Sequence, residues 1–334
     1  MSWQRIKGHD SQIEAFRQAI KRGRLAHAYL FTGPPGVGKR LFAHELAKAL
    51  LCEQPPAPLT ACDTCAACIL MDAGNHPDFF AVSRPAESNQ FPVDIMRELC
   101  RGFSLKSARG RGKFALLDDA DDLNEEAANC FLKTLEEPPP GSVFFLIGTN
   151  SERQLPTIVS RCQVVRFGPL ADDLVSDILR QAGISDAKLI ERLVRLGRGS
   201  PGQALALAEP AVWTFRKELL EGLLQSRPDT VTLARRWTEF VEEAGKETAL
   251  HRRRASQVLR LLIEFFAEAL HVSLHGEPRL TDAEEMRLLR KLVERADSEK
   301  LISILERCLE ADAQIGWFVQ LPLVLEALLD AIRV

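Results

Sequence analysis

The chain has 334 residues, enough for roughly two domains, each with its own core. Its 46% hydrophobic and 27% charged residues form an ordinary globular composition and exclude a disordered or fibrous chain. With 43 Lys and Arg against 46 Asp and Glu the formal net charge is −3, so bulk charge cannot hold nucleic acid and any such contact needs a local patch or a larger assembly.

Strand-like and helix-like runs alternate through the first half. Ala28–Thr32 is a short apolar strand that runs into a Gly/Pro loop, and a helical pattern follows through Leu41, Phe42, Leu46 and Leu50. Asp78–Val82 predicts a second strand, followed by a helix from about Val93 to Phe103. Lys113–Asp118 predicts a third, followed by a helix from about Asn124 that Pro138, Pro139 and Pro140 stop. Ser142–Gly148 and Gln163–Phe167 predict the fourth and fifth. Continuous apolar strands separated by helices imply a parallel sheet covered on both faces. After Pro169 the texture changes. Leu174, Ile178, Leu179, Ile190, Leu193, Val194 and Leu196 fall at helical spacing, and no strand-like run follows. From Pro210 onward the pattern stays helical, with apolar stripes at Val258, Leu261, Leu262, Phe265 and Phe266, and at Leu301, Ile304, Leu305 and Cys308. No run approaches the roughly 18 apolar residues of a membrane span, and the first residues lack the apolar core of a signal peptide. A soluble, cytoplasmic protein is expected.

Gly33-Pro34-Pro35-Gly36-Val37-Gly38-Lys39-Arg40 fits G-x-x-x-x-G-K between a strand and a helix. In that context glycine-freed backbone N–H groups wrap a phosphate, the helix N-terminus adds positive potential, and Lys39 reaches the outer phosphates. The next position should be Ser or Thr, whose hydroxyl ligates Mg²⁺; Arg40 has no hydroxyl. The third strand ends in Asp118, where a second metal contact belongs, and Asp119 stands where many such ATPases carry a water-orienting Glu. Gly33, Gly36, Gly38, Lys39, Asp118 and Asp119 are therefore the candidate nucleotide-binding residues, in a loop that is either working or vestigial, with ATP and Mg²⁺ doubtful cofactors.

Four of the eight cysteines, Cys52, Cys62, Cys65 and Cys68, lie in one stretch, enough thiolates to close a tetrahedral structural zinc site. A ferredoxin-like cluster would want a further cysteine at position 72, which is Asp72, so iron–sulfur is disfavoured. Cys100, Cys130, Cys162 and Cys308 read as small core residues. The stretch from Lys106 to Lys113 is a basic glycine loop, a solvated face before a DNA contact, and His251–Arg254 reads as an exposed helix end.

Taken together, the phosphate loop, acidic strand end, four-cysteine insert and helical tail resemble the clamp-loader branch of the AAA+ proteins, and within it the delta-prime family of bacterial DNA polymerase III subunits. The runs that carry the resemblance are His76-Pro77-Asp78-Phe79-Phe80, Leu132-Lys133-Thr134-Leu135-Glu136-Glu137-Pro138-Pro139, Ser160-Arg161-Cys162 and Gly199-Ser200-Pro201-Gly202-Gln203-Ala204. They cover about the first 208 residues; the tail matches in length and helicity only. The resemblance implies an α/β P-loop (AAA+) domain with a parallel sheet over 1–168, carrying a zinc insert at 52–68. A small helical lid over 169–208 and an all-α oligomerisation (collar) domain over 209–334 would follow. The implied partners are the tau/gamma and delta subunits and, indirectly, the sliding clamp and primed DNA.

In this family the Ser-Arg-Cys arginine acts in trans as a finger on the γ-phosphate of ATP held by a neighbour, which gives Arg161 that role; its planar, always-charged fork suits the task. The alternative is a structural ion pair at the sheet edge. Active members sense ATP through a lid arginine in a Gly-Ser-x-Arg-like run, whereas this chain reads Pro201-Gly202-Gln203. With Arg40 and Asp119, that departure implies a subunit that turns over no ATP itself and serves within the DNA polymerase III holoenzyme, a DNA-directed DNA polymerase. An ATP-hydrolysing subunit of the tau/gamma type, and a zinc-dependent interaction module on a P-loop scaffold, remain the other readings.

Overall fold

The computed structural model of the chain describes residues 3–85, 88, 90–278, 282–317 and 319–333. It divides into two compact units, Met1–Leu205 and Ala206–Val334.

The first unit is built on β1 (Ala28–Thr32), β2 (Phe79–Val82), β3 (Lys113–Leu117), β4 (Ser142–Ile147) and β5 (Gln163–Arg166). All neighbours are parallel, in the order β2-β3-β4-β1-β5. Around them run α1 (Asp10–Lys21), α2 (Lys39–Leu51), α3 (Ala66–Asp72), α4 (Val93–Ser104), α5 (Glu125–Glu136), α6 (Pro156–Val159), α7 (Asp172–Gln181), α8 (Ala187–Gly197) and α9 (Pro201–Ala206). Strand side chains alternate between faces. Tyr29, Phe31 and Phe145 join Phe16 of α1 and Phe42 of α2 in one aromatic cluster. Leu30, Ala115, Leu117, Phe144 and Leu146 pack instead with Phe103 of α4 and Phe131 and Leu135 of α5. Both faces are thus covered, the condition under which strands read as unbroken apolar runs.

The second unit is helical throughout its described residues: α10 (Pro210–Leu223), α11 (Thr230–Glu242), α12 (Thr248–Ser273), α13 (Ala283–Val293), α14 (Ser298–Gly316) and α15 (Leu321–Ala331). Asp229, Asp282 and Asp297 accept N–H groups of the first turns of α11, α13 and α14, satisfying donors that a helix start leaves open. The stripe Val258, Leu261, Leu262, Phe265 and Phe266 of α12 is buried. Of the scattered cysteines, Cys308 is buried here, and Cys100, Cys130 and Cys162 pack half-buried against the sheet core.

Of the two charged runs, one differs from expectation and the other keeps to it. His251–Arg254 is not an exposed helix end: Arg252 donates to the carbonyls of Ile315 (2.8 Å) and Val319 (3.1 Å), and Arg254 pairs with Glu209 at 2.6 Å. In the loop from Lys106 to Lys113, Arg109 pairs with Glu53, Arg111 donates to the Glu53 carbonyl at 3.1 Å, and Lys113 is buried with its ammonium over the Phe80 ring. Lys106, Arg109 and Arg111 nonetheless stay exposed, so that loop is the solvated face expected of it, with Lys113 buried.

Candidate functional site

In a parallel sheet the C-terminal strand ends share one edge, and ligand sites form there. Here that edge carries the phosphate loop after β1, Asp118 after β3 and Thr149 after β4, around a cleft of about 990 Å³. Lys39 is buried, and its Nζ donates to the carbonyls of Gly33 (2.5 Å) and Pro34 (2.7 Å). Burial lowers its pKa, against the opposing influence of Asp118 and Asp121. Arg40 Nη1 lies 3.0 Å from Asp118 Oδ2, so a guanidinium occupies the acid that would otherwise take a metal contact. Asp119 sits in the left-handed region at φ +56° with an exposed side chain. Asp121, not singled out in the sequence, accepts from Thr149 N (2.7 Å), Thr149 Oγ1 (2.5 Å) and Gln154 Nε2 (2.5 Å), tying the ends of β3 and β4 together.

The run Ser200–Gln203, expected to belong to a lid, packs directly on the loop. Ser200 Oγ donates to the Pro35 carbonyl at 2.8 Å, Gln203 Nε2 to the same oxygen at 3.4 Å, and Gly202 N to the Gly36 carbonyl at 3.0 Å. A Cβ on Gly202 would stand 2.8 Å from Gly36 Cα, which is why no larger residue fits there. His9, also unforeseen, is buried with Nε2 2.8 Å from the Val37 carbonyl; a carbonyl only accepts, so that nitrogen carries the proton. All carbonyls from Gly33 to Val37 are thus held by Lys39, the lid or His9, which fixes the loop from within the chain.

Arg161 follows α6 and precedes β5. Since β5 runs parallel to β1 with Gln163 beside Tyr29, Arg161 lies at the N-terminal edge of the sheet, opposite its own phosphate loop. Its Nη1 donates to the Thr157 carbonyl (2.9 Å) and Ser160 Oγ (3.2 Å), and its Nη2 pairs with Glu136. Two of the runs that carried the family resemblance therefore meet at one ion pair.

The four clustered cysteines converge as their spacing predicts. Cys52 caps α2, Cys65 precedes α3 and Cys68 lies within it, and the four Sγ atoms are within 4.8 Å of one another. The Cys52–Cys65 and Cys62–Cys68 sulfurs are 4.0 Å apart, close to the ~3.8 Å edge of a zinc tetrahedron with 2.3 Å bonds. Backbone N–H groups of Thr64 and Cys65 hold the Cys62 thiol down to about 6, while burial pushes Cys52 and Cys68 up. For Cys65, burial is outweighed by N–H groups of Cys68 and Glu53, and its pKa falls. This donor set can hold a metal ion and, with four thiolates, leaves no open position for catalysis.

Two contacts fasten this insert to the rest of the first unit, the first of them marked by no motif. Lys48, on α2 and nearly buried, bonds Asp63 (2.7 Å) and Asp72 (2.9 and 2.7 Å); these carboxylates outweigh the effect of burial and raise its pKa. Asp78 is fully buried and accepts from Ser107 Oγ (3.0 Å) and the backbone N–H groups of Ala108 (2.7 Å) and Arg109 (2.9 Å). It thereby shapes the loop whose arginines reach Glu53. The His-Pro-Asp run has in this way a structural job.

Comparison with known proteins places this architecture. A family model described as DNA polymerase III, delta subunit, matches residues 8–171. The delta-prime subunit of Escherichia coli K12 is 33% identical over 294 residues, 88% of this chain and 84% of that protein. That of Pseudomonas aeruginosa is 39% identical over 222 residues, 65% of this chain and 67% of that protein. The tau subunit of E. coli is 33% identical, but over 62% of this chain and only 32% of its own length. Among solved structures, a gamma-subunit-related protein of Thermotoga maritima has a TM-score of 0.51 at 20% identity, covering 96% of this chain and 98% of that one, a likeness of fold. No helix among the described residues is long and apolar enough to cross a membrane. With a parallel five-stranded sheet, a four-cysteine insert and an E. coli relative 33% identical over most of both chains, this chain belongs to the delta-prime family of DNA polymerase III clamp-loader subunits.

Proposed function

We propose that this chain is the non-hydrolysing member of a clamp loader, helping to place the sliding clamp on primed DNA by offering Arg161 to ATP bound in a neighbouring tau/gamma-type subunit. The observation that carries this reading is the position of Arg161 on the sheet edge opposite its own phosphate loop. Four residues of strand at about 3.3 Å each separate the two ends, so the arginine can reach only a nucleotide held by another chain. The engagement of Asp118 by Arg40, the lack of a lid arginine in Pro201-Gly202-Gln203 and the lid seated on Pro35 and Gly36 support the absence of turnover in this chain. Zinc, held by Cys52, Cys62, Cys65 and Cys68, would supply a closed structural cross-link. Residues 209–334 would form the assembly domain, 169–208 the lid, and the delta and tau/gamma subunits the immediate partners.

Steady-state ATP turnover of the reconstituted loader with clamp and primed DNA, comparing wild type with Arg161→Ala, tests this proposal. The isolated chain serves as blank and should be inert. A loss of tenfold or more is expected, roughly the low end for removing an arginine finger at one of several sites. Equal turnover in the two loaders would make Arg161 structural and refute the trans role.

A further inference from the structure

We infer that Glu136 is the positioning residue for Arg161, an inference that rests on the trans reading above. Arg161 is about a third exposed, and a long side chain at such a place ordinarily samples many rotamers. Three acceptors instead fix its guanidinium. Thr157 O and Ser160 Oγ take both Nη1 hydrogens, and the Glu136 carboxylate takes one on Nη2. Among the described residues, the Nε hydrogen and the second Nη2 hydrogen have no acceptor within the chain. Those two form the side-on fork with which arginine grips an oxyanion.

Glu136 is suited to orient that fork. It ends α5, whose Phe131 and Leu135 are buried against the sheet, and three prolines follow at 138–140, so its backbone is anchored on both sides. Thr157 and Ser160 belong to the same short turn as Arg161 and move with it, whereas Glu136 comes from a separate element and ties the turn to the core. At nearly half exposure the pair adds little to stability. Its contribution is to aim the guanidinium, and aim matters where it must meet charge that develops in a transition state.

The test uses the reconstituted loader carrying Glu136→Ala, Glu136→Asp or Glu136→Gln, with Arg161→Ala alongside. Glu136→Ala should lower kcat for ATP about fivefold with KM within twofold, less than the ~100-fold of a full 1 Å misplacement because two acceptors remain. Glu136→Gln keeps an oxygen at the same reach and should recover most of that loss. Glu136→Asp keeps the charge but shortens the reach and should behave like Ala. The double variant Glu136→Ala/Arg161→Ala should match Arg161→Ala alone, since a positioning residue has nothing left to position. If Asp restores turnover and Gln does not, charge and not position is at work and the inference fails. Wild-type turnover in every Glu136 variant, with Arg161→Ala still impaired, would overturn the positioning role alone. No effect of Arg161→Ala would overturn the trans reading itself.

Discussion

Chelation of zinc at neutral pH is expected to release one ion per chain, unfold residues 52–72 and lower the melting temperature of the first unit by roughly 6–12 °C. Structural zinc contributes about 10–16 kcal/mol in isolated zinc-finger peptides, where the ion is the whole core. Here the insert also leans on α2 through Lys48 and on the loop at 107–111 through Glu53, so only part of that free energy is at stake. About a third of the lower bound, ~3 kcal/mol, gives the quoted shift for a unit of this size. Without the ion, Cys52 and Cys68 remain as thiols enclosed by protein, with only N–H···S and S–H···S contacts to organise them. Hydrogen exchange followed by mass spectrometry should show protection lost over 52–72 and weakened at 107–111, with α12 and α14 unchanged. Cys65→Ser should reproduce the pattern without chelator. Identical exchange over 52–72 before and after metal removal would show that the thiols pack without an ion.

The sheet and the cysteine site were legible because their signals are local. The three inner strands β1, β3 and β4 are continuous apolar runs buried on both faces, and the four cysteines lie within seventeen residues of one another. Helix α1 went unread although Ile13, Phe16 and Ile20 fall at helical spacing. Helix α3, at seven residues, is shorter than the window that periodicity needs. The contacts that give the site its character are of another kind. Arg161 and Glu136 are 25 residues apart, Arg40 and Asp118 are 78, and Ser200 and Pro35 are 165. A sequence displays each partner but not the pairing, because the fold alone brings them together. In the basic loop, solvated as its composition suggested, nothing near Arg109 and Arg111 announces that Glu53 will come to meet them. Even so, the departures at Arg40 and in Pro201-Gly202-Gln203 were visible as residues out of pattern, and the structure seats Arg40 on Asp118 and Gly202 on Gly36.

Replacing Arg216 by methionine is expected to cost the second unit about 3–5 kcal/mol. Arg216 lies on α10 with its side chain 1% exposed. Its Nε donates to the Leu261 carbonyl of α12 at 3.1 Å, its Nη1 pairs with Glu285 of α13, and its Nη2 lies 3.7 Å from Glu264 of α12. The guanidinium also sits 5.6 Å from the Trp213 ring and 5.3 Å from that of Phe265. Removing the cation takes a charged partner from two carboxylates that are only 11% and 13% exposed, and that lost pairing adds to the lost packing. Urea unfolding read through Trp213 and Trp237, both in this unit, should show the midpoint fall with its slope unchanged. The triple variant Arg216→Met/Glu264→Leu/Glu285→Leu distinguishes two accounts of the network. If the charges are costly to bury and matter for which helices pack together, the triple variant should recover most of the loss or exceed wild type, since apolar replacement of a buried triad is often neutral or stabilising. A triple variant as unstable as Arg216→Met would instead show that the ion network itself holds α10 against α12 and α13, and that an apolar core of similar volume cannot replace it.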